Sequence, residues 1–334
     1  MLVFFSNKKC SRQTGHLVSA EKSCLLPTAY CLLMQSIVEC VPNFSEGRKT
    51  ETVERLAQAI ASVPTACVLD RHSDPDHNRS VITFVASAEM IVEAALRAVA
   101  LAAELIDMRQ HVGVHPRLGA TDVLPFVPIR GVTMDQCIAL AHEAGERIAR
   151  ELAIPVYFYE QAALREDRRN LEDVRRGALE LLRQEIAVEP KRAPDVGPSQ
   201  VHETAGAIAV GARPFLIAFN INLRTADVVV AKNIARVVRA RGGGLRFVKA
   251  LGFALSTRGL AQVSMNLVNY EATGIEQAYN AVRREAERAG VEILSTEIVG
   301  LVPAKALDKS AEYFQKLENF SEDKIFENRL RACE

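Results

Sequence analysis

Residues 111–122 read HVGVHPRLGATD and lie between an alanine- and leucine-rich helical run at 88–108 and an apolar run at 122–129. Gly113 is conformationally permissive and Pro116 has no amide donor, so a helix should not continue through the two histidines. The stretch therefore predicts a loop that joins a helix to a strand. Catalytic side chains are common on loops that rigid elements hold in this way.

Three interpretations of these twelve residues compete. In a structural loop, His115 would cap a backbone carbonyl and Arg117 would pair with Asp122. In a metal site, the His-x3-His spacing would need a helix, and the glutamate of a metalloprotease signature is missing as well. In an acid–base site, a histidine would transfer protons, because its ordinary pKa lies nearest to neutral pH. The metal site is the least favoured, and the residues alone leave the other two open.

Outward from this stretch, hydrophobic periodicity predicts the same order of elements in both halves of the chain. In the first half we expect strands at 36–41, 67–70, 80–85, 123–129 and 156–159, and helices at 50–63, 88–108, 133–153 and 164–186. In the second half we expect strands at 215–223, 245–254, 261–267 and 292–299, and helices at 226–240, 275–289 and 305–317. A turn is expected at 42–47, and prolines and glycines predict a long connecting loop at 188–213.

Each half therefore has the order β-α-β-β-α-β, although the halves share no matching residues. This order predicts an α+β fold, with two βαββαβ (ferredoxin-like) subdomains that face each other across a ligand cleft. We expect the subdomains at 35–213 and 214–320, followed by a tail at 321–334. Residues 1–34 show no sustained helical or strand periodicity. Regular periodicity begins directly after Met34. Residues 1–34 are expected to be a disordered or non-native extension.

The amino-acid composition favours a globular enzyme and disfavours nucleic-acid-binding and membrane-spanning proteins. The chain has 334 residues, of which 49% are hydrophobic and 25% charged, as in ordinary globular enzymes. Lysine plus arginine equals aspartate plus glutamate at 41 each, which disfavours nucleic acid as a partner. The sequence contains no apolar run long enough to span a membrane. Seven scattered cysteines without a C-x-x-C pair make a disulfide framework unexpected and favour a reducing compartment.

Two further polar regions stand out. Residues 71–79 read RHSDPDHNR, which is either a solvated turn or a second polar loop that lines the same cleft, with Arg79 placed to bind a carboxylate. The arginines between 165 and 176 are interpreted as a solvated helix face, of which one or two could hold an anionic ligand.

Several longer strings resemble the glutamate formiminotransferase family. They are VECVPNFSEG at 38–47, the stretch at 111–122, GPS at 197–199, GAR at 211–213, FLIAFNINL at 215–223 and VGLVP at 299–303. The resemblance covers residues 36 to about 317. It is to the stand-alone transferase, without the cyclodeaminase that some members carry downstream.

The resemblance implies transfer of a formimino group between 5-formiminotetrahydrofolate and L-glutamate, or N-formimino-L-glutamate, in histidine degradation. It places the catalytic histidine on His115. It places a folate-binding segment on Gly197, Pro198, Ser199, Gln200, Val201, His202, Glu203, Thr204, Ala205 and Gly206. The middle of this segment, 200–204, departs from the animal sequences, so the assignment rests mainly on its two ends.

The chemistry needs one group that gives and takes a proton near pH 7, which His115 can do. Arg79, Arg117 or Arg213 could anchor the substrate carboxylates, and Asp122 could orient His115 or pair with Arg117. The expected co-substrate is tetrahydrofolate, with no metal, no nucleic acid and no membrane. The expected location is cytoplasmic, and a homodimer is left open. Two alternatives remain: a glutamate formyltransferase that uses a folate carrier, and a folate-binding protein without catalysis.

Overall fold

The computed structural model describes residues 36–113 and 115–333, so the expected extension at 1–34 lies outside the described residues. The strands are β1 (Ile37–Cys40), β2 (Asn43–Phe44), β3 (Cys67–Asp74), β4 (Arg79–Ser87), β5 (Thr121–Arg130), β6 (Val156–Glu160), β7 (Ile208–Ala212), β8 (Ile217–Leu223), β9 (Val248–Leu255), β10 (Leu260–Leu267) and β11 (Ile293–Val299). The α-helices are α1 (Thr50–Ala61), α2 (Ile91–Leu105), α3 (Met134–Leu152), α4 (Leu171–Val174), α5 (Ala178–Glu185), α6 (Val228–Val238), α7 (Ile275–Arg288), α8 (Glu312–Gln315) and α9 (Phe326–Cys333).

The first sheet is built on β1, which pairs antiparallel with both β4 and β5, while β3 pairs with the outer side of β4. Beyond β5, the strands β7 and β6 continue the sheet in parallel. Helices α1, α2 and α3 cover one face, because each has an apolar side that can be buried there. Helix α3 begins with a capping box, in which Thr133 and Gln136 each satisfy the other's backbone amide.

The second sheet has four antiparallel strands in the order β11-β8-β10-β9. Its helices α6 and α7 pack on one face. Gly252 of β9 allows this approach, since a Cβ there would lie 2.3 Å from the Lys232 amide nitrogen of α6. The expected α+β fold with two sheets is therefore confirmed.

The uncovered faces of the two sheets oppose each other. Side chains alternate along a strand, so Val38 and Cys40 belong to the core under the helices, whereas Ile37 packs on the other face with Leu301 and Phe326. This contact closes one end of the space between the sheets. The remainder of that space forms the cleft.

Three predicted elements differ from the structure. The helix expected at 164–186 is divided into a 3-10 turn at Glu166–Arg168, α4 and α5, with Gly177 at a positive φ of 75° between α4 and α5. The loop expected at 188–213 ends in the buried strand β7. The helix expected at 305–317 is reduced to a 3-10 turn at Ala304–Ala306 and α8, because the Asp308 side chain accepts hydrogen bonds from Ser310 and forms a turn instead.

The expected tail, 321–334, includes a helix and a covalent link to the first sheet. It contains α9, and Cys333 of this helix forms a disulfide with Cys67 of β3. The scattered cysteine spacing did not indicate this bond, and a disulfide runs against the expected reducing compartment. Among the described residues, no helix is both long and apolar enough to cross a membrane.

Candidate active site

The cleft contains a cavity of about 860 Å³ that both sheets line. We call the side contributed by the first sheet and its loops the floor, and the side contributed by the second sheet the roof. Residues of the floor include Glu39, Asn43, Arg79, Thr83, His77, His115, Tyr159 and Arg175, and residues of the roof include Ala218, Asn220, Lys249, Leu251, Phe253, Ser264 and Asn266. A smaller cavity of about 380 Å³ lies elsewhere, between α1 and the tail.

Asp122 is the centre of the charged groups on the floor. Its carboxylate is completely buried and accepts hydrogen bonds from Arg79 Nη1 at 2.5 Å, from Arg175 and from the Leu118 amide at 2.9 Å. Burial acts to raise the pKa of Asp122, but Arg175 and Arg79 outweigh burial and lower it to about 2. The carboxylate is therefore ionised at neutral pH and fixes both guanidinium groups.

Arg79 is held from a second side by Asn43, whose Oδ1 accepts from Nε at 3.1 Å and from Nη2 at 2.7 Å. A guanidinium has five N–H donors. Within the described residues, three donors of Arg79 and two of Arg175 have protein partners, which leaves donors on both for a ligand. Both side chains are largely enclosed, with exposed fractions of 12% and 13%. The pair is suited to an anion such as a carboxylate.

His115 lies beside this pair on the predicted loop. Its Nδ1 is 2.7 Å from the Pro116 carbonyl oxygen, so this nitrogen carries the proton and Nε2 is left as an acceptor. Burial, followed by repulsion from Arg79 and Arg175, lowers the pKa of His115 well below its ordinary value. The imidazole is thus neutral near pH 7 and able to accept a proton.

A second histidine stands close to His115. The His77 ring centroid is 6.0 Å from that of His115, and Phe253 of the roof packs against both rings. His77 Nδ1 is 2.8 Å from the Asp74 carboxylate. Burial opposes ionisation of Asp74, yet hydrogen bonds from the His77 ring and amide lower its pKa to about 2. The polar region 71–79 therefore does line the cleft, on the extended strand β3 and the turn after it.

The other side chains of residues 111–122 hold the loop in place. His111 Nε2 is 3.0 Å from the Asn78 carbonyl oxygen, and its Nδ1 accepts from Arg117 Nε at 3.1 Å. Arg117 is also paired with Glu180 at 2.6 Å. Arg117 therefore pairs with Glu180 rather than with Asp122, and Asp122 binds the two floor arginines rather than His115.

The expected folate segment, 197–206, lies behind the same loop. Ala205 accepts from the Ala120 amide at 2.8 Å, and the Ala207 amide donates to Leu118 at 2.9 Å. Residues 197–200 are exposed, and none of the ten residues of the segment lines the cavity. Arg213 does not line it either, and its Nη1 donates to the Pro214 carbonyl oxygen. Of the site residues predicted from the sequence, the structure thus brings together His115, Arg79 and Asp122.

Glu39 and Phe253 were not predicted from the sequence as site residues. Arg175 was predicted only as one of the arginines on a solvated helix face, of which one or two could hold an anionic ligand, because the break between α4 and α5 was not anticipated. Glu39 carried a usable signal, since it is a charged residue in the otherwise apolar strand IVEC. Among residues 36–113 and 115–333, no group of three or more histidine, cysteine, aspartate or glutamate side chains could hold a metal ion.

Comparison with known proteins gives matches over both subdomains. The family description "Formiminotransferase domain, N-terminal subdomain" matches residues 37–213, and "Formiminotransferase domain" matches residues 218–330. Glutamate formimidoyltransferase of Thermoplasma acidophilum is 49% identical over 299 residues, which are 89% of this chain and 98% of that protein.

Two other relatives show how far the similarity extends. Glutamate formimidoyltransferase of Streptococcus pyogenes serotype M1 is 46% identical over 298 residues, 89% of this chain and 99% of that protein. Formimidoyltransferase-cyclodeaminase of Rattus norvegicus is 43% identical over 305 residues, 89% of this chain but 56% of that protein. The similarity to the rat protein is thus limited to about half of its length.

Proposed function

The chain belongs to the formiminotransferase family, and on this premise we propose that its cleft transfers a formimino group between 5-formiminotetrahydrofolate and L-glutamate. In the family this reaction links histidine degradation to folate-dependent one-carbon metabolism. The observation that carries the proposal is the buried His115, whose Nε2 has no partner among the described residues, beside two arginines with donors left for a ligand, inside a cavity that both sheets line.

The reaction exchanges one carbon–nitrogen bond for another. Toward glutamate, the amine nitrogen of glutamate attacks the formimino carbon and forms a new C–N bond, and the bond from that carbon to folate N5 then breaks. One proton must leave the attacking amine, and one must reach N5. Nε2 of His115 takes the first proton and returns it to N5, so the histidine ends the cycle unchanged. Such proton transfer contributes typically about 10²- to 10⁴-fold to a rate.

Arg79 and Arg175 are the groups that we assign to a glutamate carboxylate. Asp122 holds both from behind, and Asn43 holds Arg79 from the side. The guanidinium groups are therefore oriented before the substrate arrives, which limits the entropy lost on binding. The assignment of Arg79 and Arg175 replaces the other expected carboxylate anchors, Arg117 and Arg213, because neither of these lines the cavity.

The segment 197–206 is retained as a folate contact, chiefly through Gly197, Pro198, Ser199 and Gly206. Since its first residues are exposed and none of the segment lines the cavity, the contact would be with a part of folate that extends out of the enclosed space. Gly206 supports the connection to the catalytic loop, because its φ of 75° and its closeness to Leu118 exclude a larger residue.

The test is spectroscopic measurement of formimino transfer between formiminoglutamate and tetrahydrofolate, with wild type beside His115→Ala. We expect kcat to fall about 10²- to 10⁴-fold while tetrahydrofolate binding is kept. His142→Ala is the matched control, because His142 lies on α3, away from the cavity, and binds the Ala162 carbonyl oxygen.

Each other outcome has a defined meaning. Full activity in His115→Ala would assign the proton transfer to another group and contradict the role of His115. A wild type that transfers only from a formyl donor would support the formyltransferase alternative. Folate binding without any transfer would support the non-catalytic alternative.

A further inference from the structure

The floor of the cavity contains a carboxyl group that the proposed proton transfer does not use. Glu39 lies on β1, and only 2% of its surface is exposed. Because side chains alternate along the strand, Glu39 points to the cleft while Val38 and Cys40 point to the helices. Its partners across the sheet are Val85 of β4 and Val127 of β5, so its immediate surroundings are apolar.

Within the described residues, the Glu39 carboxyl has neither a hydrogen bond nor an ion pair. The positive charge that acts on it electrostatically is Arg213, whose Nη1 donates to a backbone carbonyl instead. A buried carboxyl without a partner costs free energy, and such groups are uncommon in folded proteins. In a cavity that binds substrate, the missing partner is expected to be the ligand.

The ligand must offer donors to a planar, two-oxygen acceptor at the end of an enclosed cavity. We propose that Glu39 binds the pterin ring of folate, accepting hydrogen bonds from N3–H and from the 2-amino group. These two donors lie side by side on one edge of the ring, so the pair can be bidentate. This inference rests on the proposed function, since it assumes that the cavity binds folate.

The position of Glu39 relative to His115 fits this orientation. Glu39 and Asn43 are four residues apart on the same face, about 13 Å at a strand rise of roughly 3.3 Å per residue. Asn43 contacts Arg79, which lies beside His115. A pteridine with its amino edge on Glu39 thus directs N5 toward His115, and leaves the arginines to glutamate on the far side. Thr83 and Tyr159 also line the cavity.

Binding at Glu39 is coupled to protons. Burial raises the pKa of Glu39 to about 7, and Arg213 opposes this only in part. The free carboxyl is therefore mostly protonated below pH 7, whereas the two ring donors require the carboxylate. Folate binding then releases a proton, and folate affinity falls about tenfold for each pH unit below 7. Above pH 7 the affinity is constant.

The experiment measures binding of 5-formyltetrahydrofolate, and of its analogue without the 2-amino group, to wild type and Glu39→Gln between pH 6 and pH 8. We expect wild type to lose about 100-fold in affinity for the analogue, and to release a proton on binding 5-formyltetrahydrofolate near pH 7. In Glu39→Gln, both the discrimination and the proton release should largely disappear. Glu160→Gln is the control, because Glu160 is already paired with Lys249 at 2.9 Å and should leave the pH dependence unchanged.

The variant is expected to fold, since it removes a buried charge without changing volume, and its melting temperature checks this. Glu39→Asp provides a second test, because it keeps the proton release while the shorter side chain weakens binding. If Glu39→Gln still discriminated against the analogue, the assignment of Glu39 would be wrong while the proposed function stood. If wild type bound no folate at all, both would be wrong.

Discussion

The floor and the roof of the cleft differ in the kind of polar group that each presents. The floor carries ionisable side chains held at short distances, with Asp122 between Arg79 and Arg175 and with His115 beside them. The strands of the roof present mainly neutral groups, and their lysine, Lys249, is already paired with Glu160 and Glu172. Arg239 and Arg241 line the cavity from the connection after α6, where Arg241 is paired with Asp173. The floor is therefore suited to proton transfer and charge binding, and the roof to shape and exclusion of water.

The polar side chains of the second sheet are paired mainly with one another. Asn222 donates to Ser295 at 3.1 Å and accepts from Gln262 at 3.0 Å, and Asn220 donates to Glu297 at 3.0 Å. A buried network of this kind favours one arrangement of the sheet, and within the described residues the Gln262 Oε1 atom is the member left without a partner. If this comparison is right, substitutions on the floor should have much larger effects than substitutions on the roof.

The largest effect is expected for Asp122→Asn. The change leaves Arg79 and Arg175 buried without a compensating charge, which should lower the free energy of unfolding by about 3–5 kcal/mol and activity by more than about 10³-fold. Denaturant unfolding with a parallel activity assay measures both.

The pH dependence of the free energy of unfolding is a further check on the role of Asp122. The pKa of Asp122 is lowered from 3.8 to about 2, so its contribution is complete above pH 3.8 and is lost as the pH falls toward 2.

Asp107→Asn provides the comparison for that variant. Asp107 is also paired with an arginine, Arg109 at 2.8 Å, but on the exposed surface. Exposed pairs contribute little, so the free energy of unfolding should change far less than in Asp122→Asn. Equal destabilisation by both substitutions would mean that the buried cluster has no special role.

The sequence predicted more of the histidine-containing loop at 111–122 than of the helical region that faces it. Gly113 and Pro116 excluded a helix locally, so the loop and its histidines could be placed without knowledge of distant contacts. By contrast, the position of Arg175 depends on the interruption of the helix near Gly177 and on the hydrogen bonds to Asp122, which is 53 residues away in the sequence. Interactions at that separation leave no periodic pattern in the sequence.

The fold shows the same division between local and distant information. Alternation in the strands and the apolar faces of the helices predicted both halves, and strand β7 was missed because glycines and alanines interrupt its pattern. Helix α9 and the bond from Cys333 to Cys67 were missed because the two cysteines are 266 residues apart. Pairing of Arg117 with Glu180 was missed for a similar reason.

A smaller effect is expected for Phe253→Leu on the roof. Phe253 packs against His77 and His115 with centroid distances of 5.0 and 6.0 Å, and it donates no proton. Leucine keeps an apolar cover but leaves space that water can enter, so kcat should fall about tenfold with little change in the KM for glutamate. Steady-state kinetics tests this expectation, with Leu251→Ala as a roof control two residues away on the same strand. A loss in Phe253→Leu as large as that in His115→Ala would contradict the division between floor and roof.

The smallest effect is expected from pH, and it separates two groups on the same floor. Because the pKa of His115 lies well below 6.5, kcat at saturating substrates should stay nearly constant as the pH falls from 8 to 6. Glu39 has a pKa of about 7, so the KM for folate should rise over the same range. A kcat profile that fell through pH 6.5 would instead indicate an unperturbed catalytic histidine. The arginine pair would then not control the charge of His115, and the floor would lose the feature that distinguishes it most clearly from the roof.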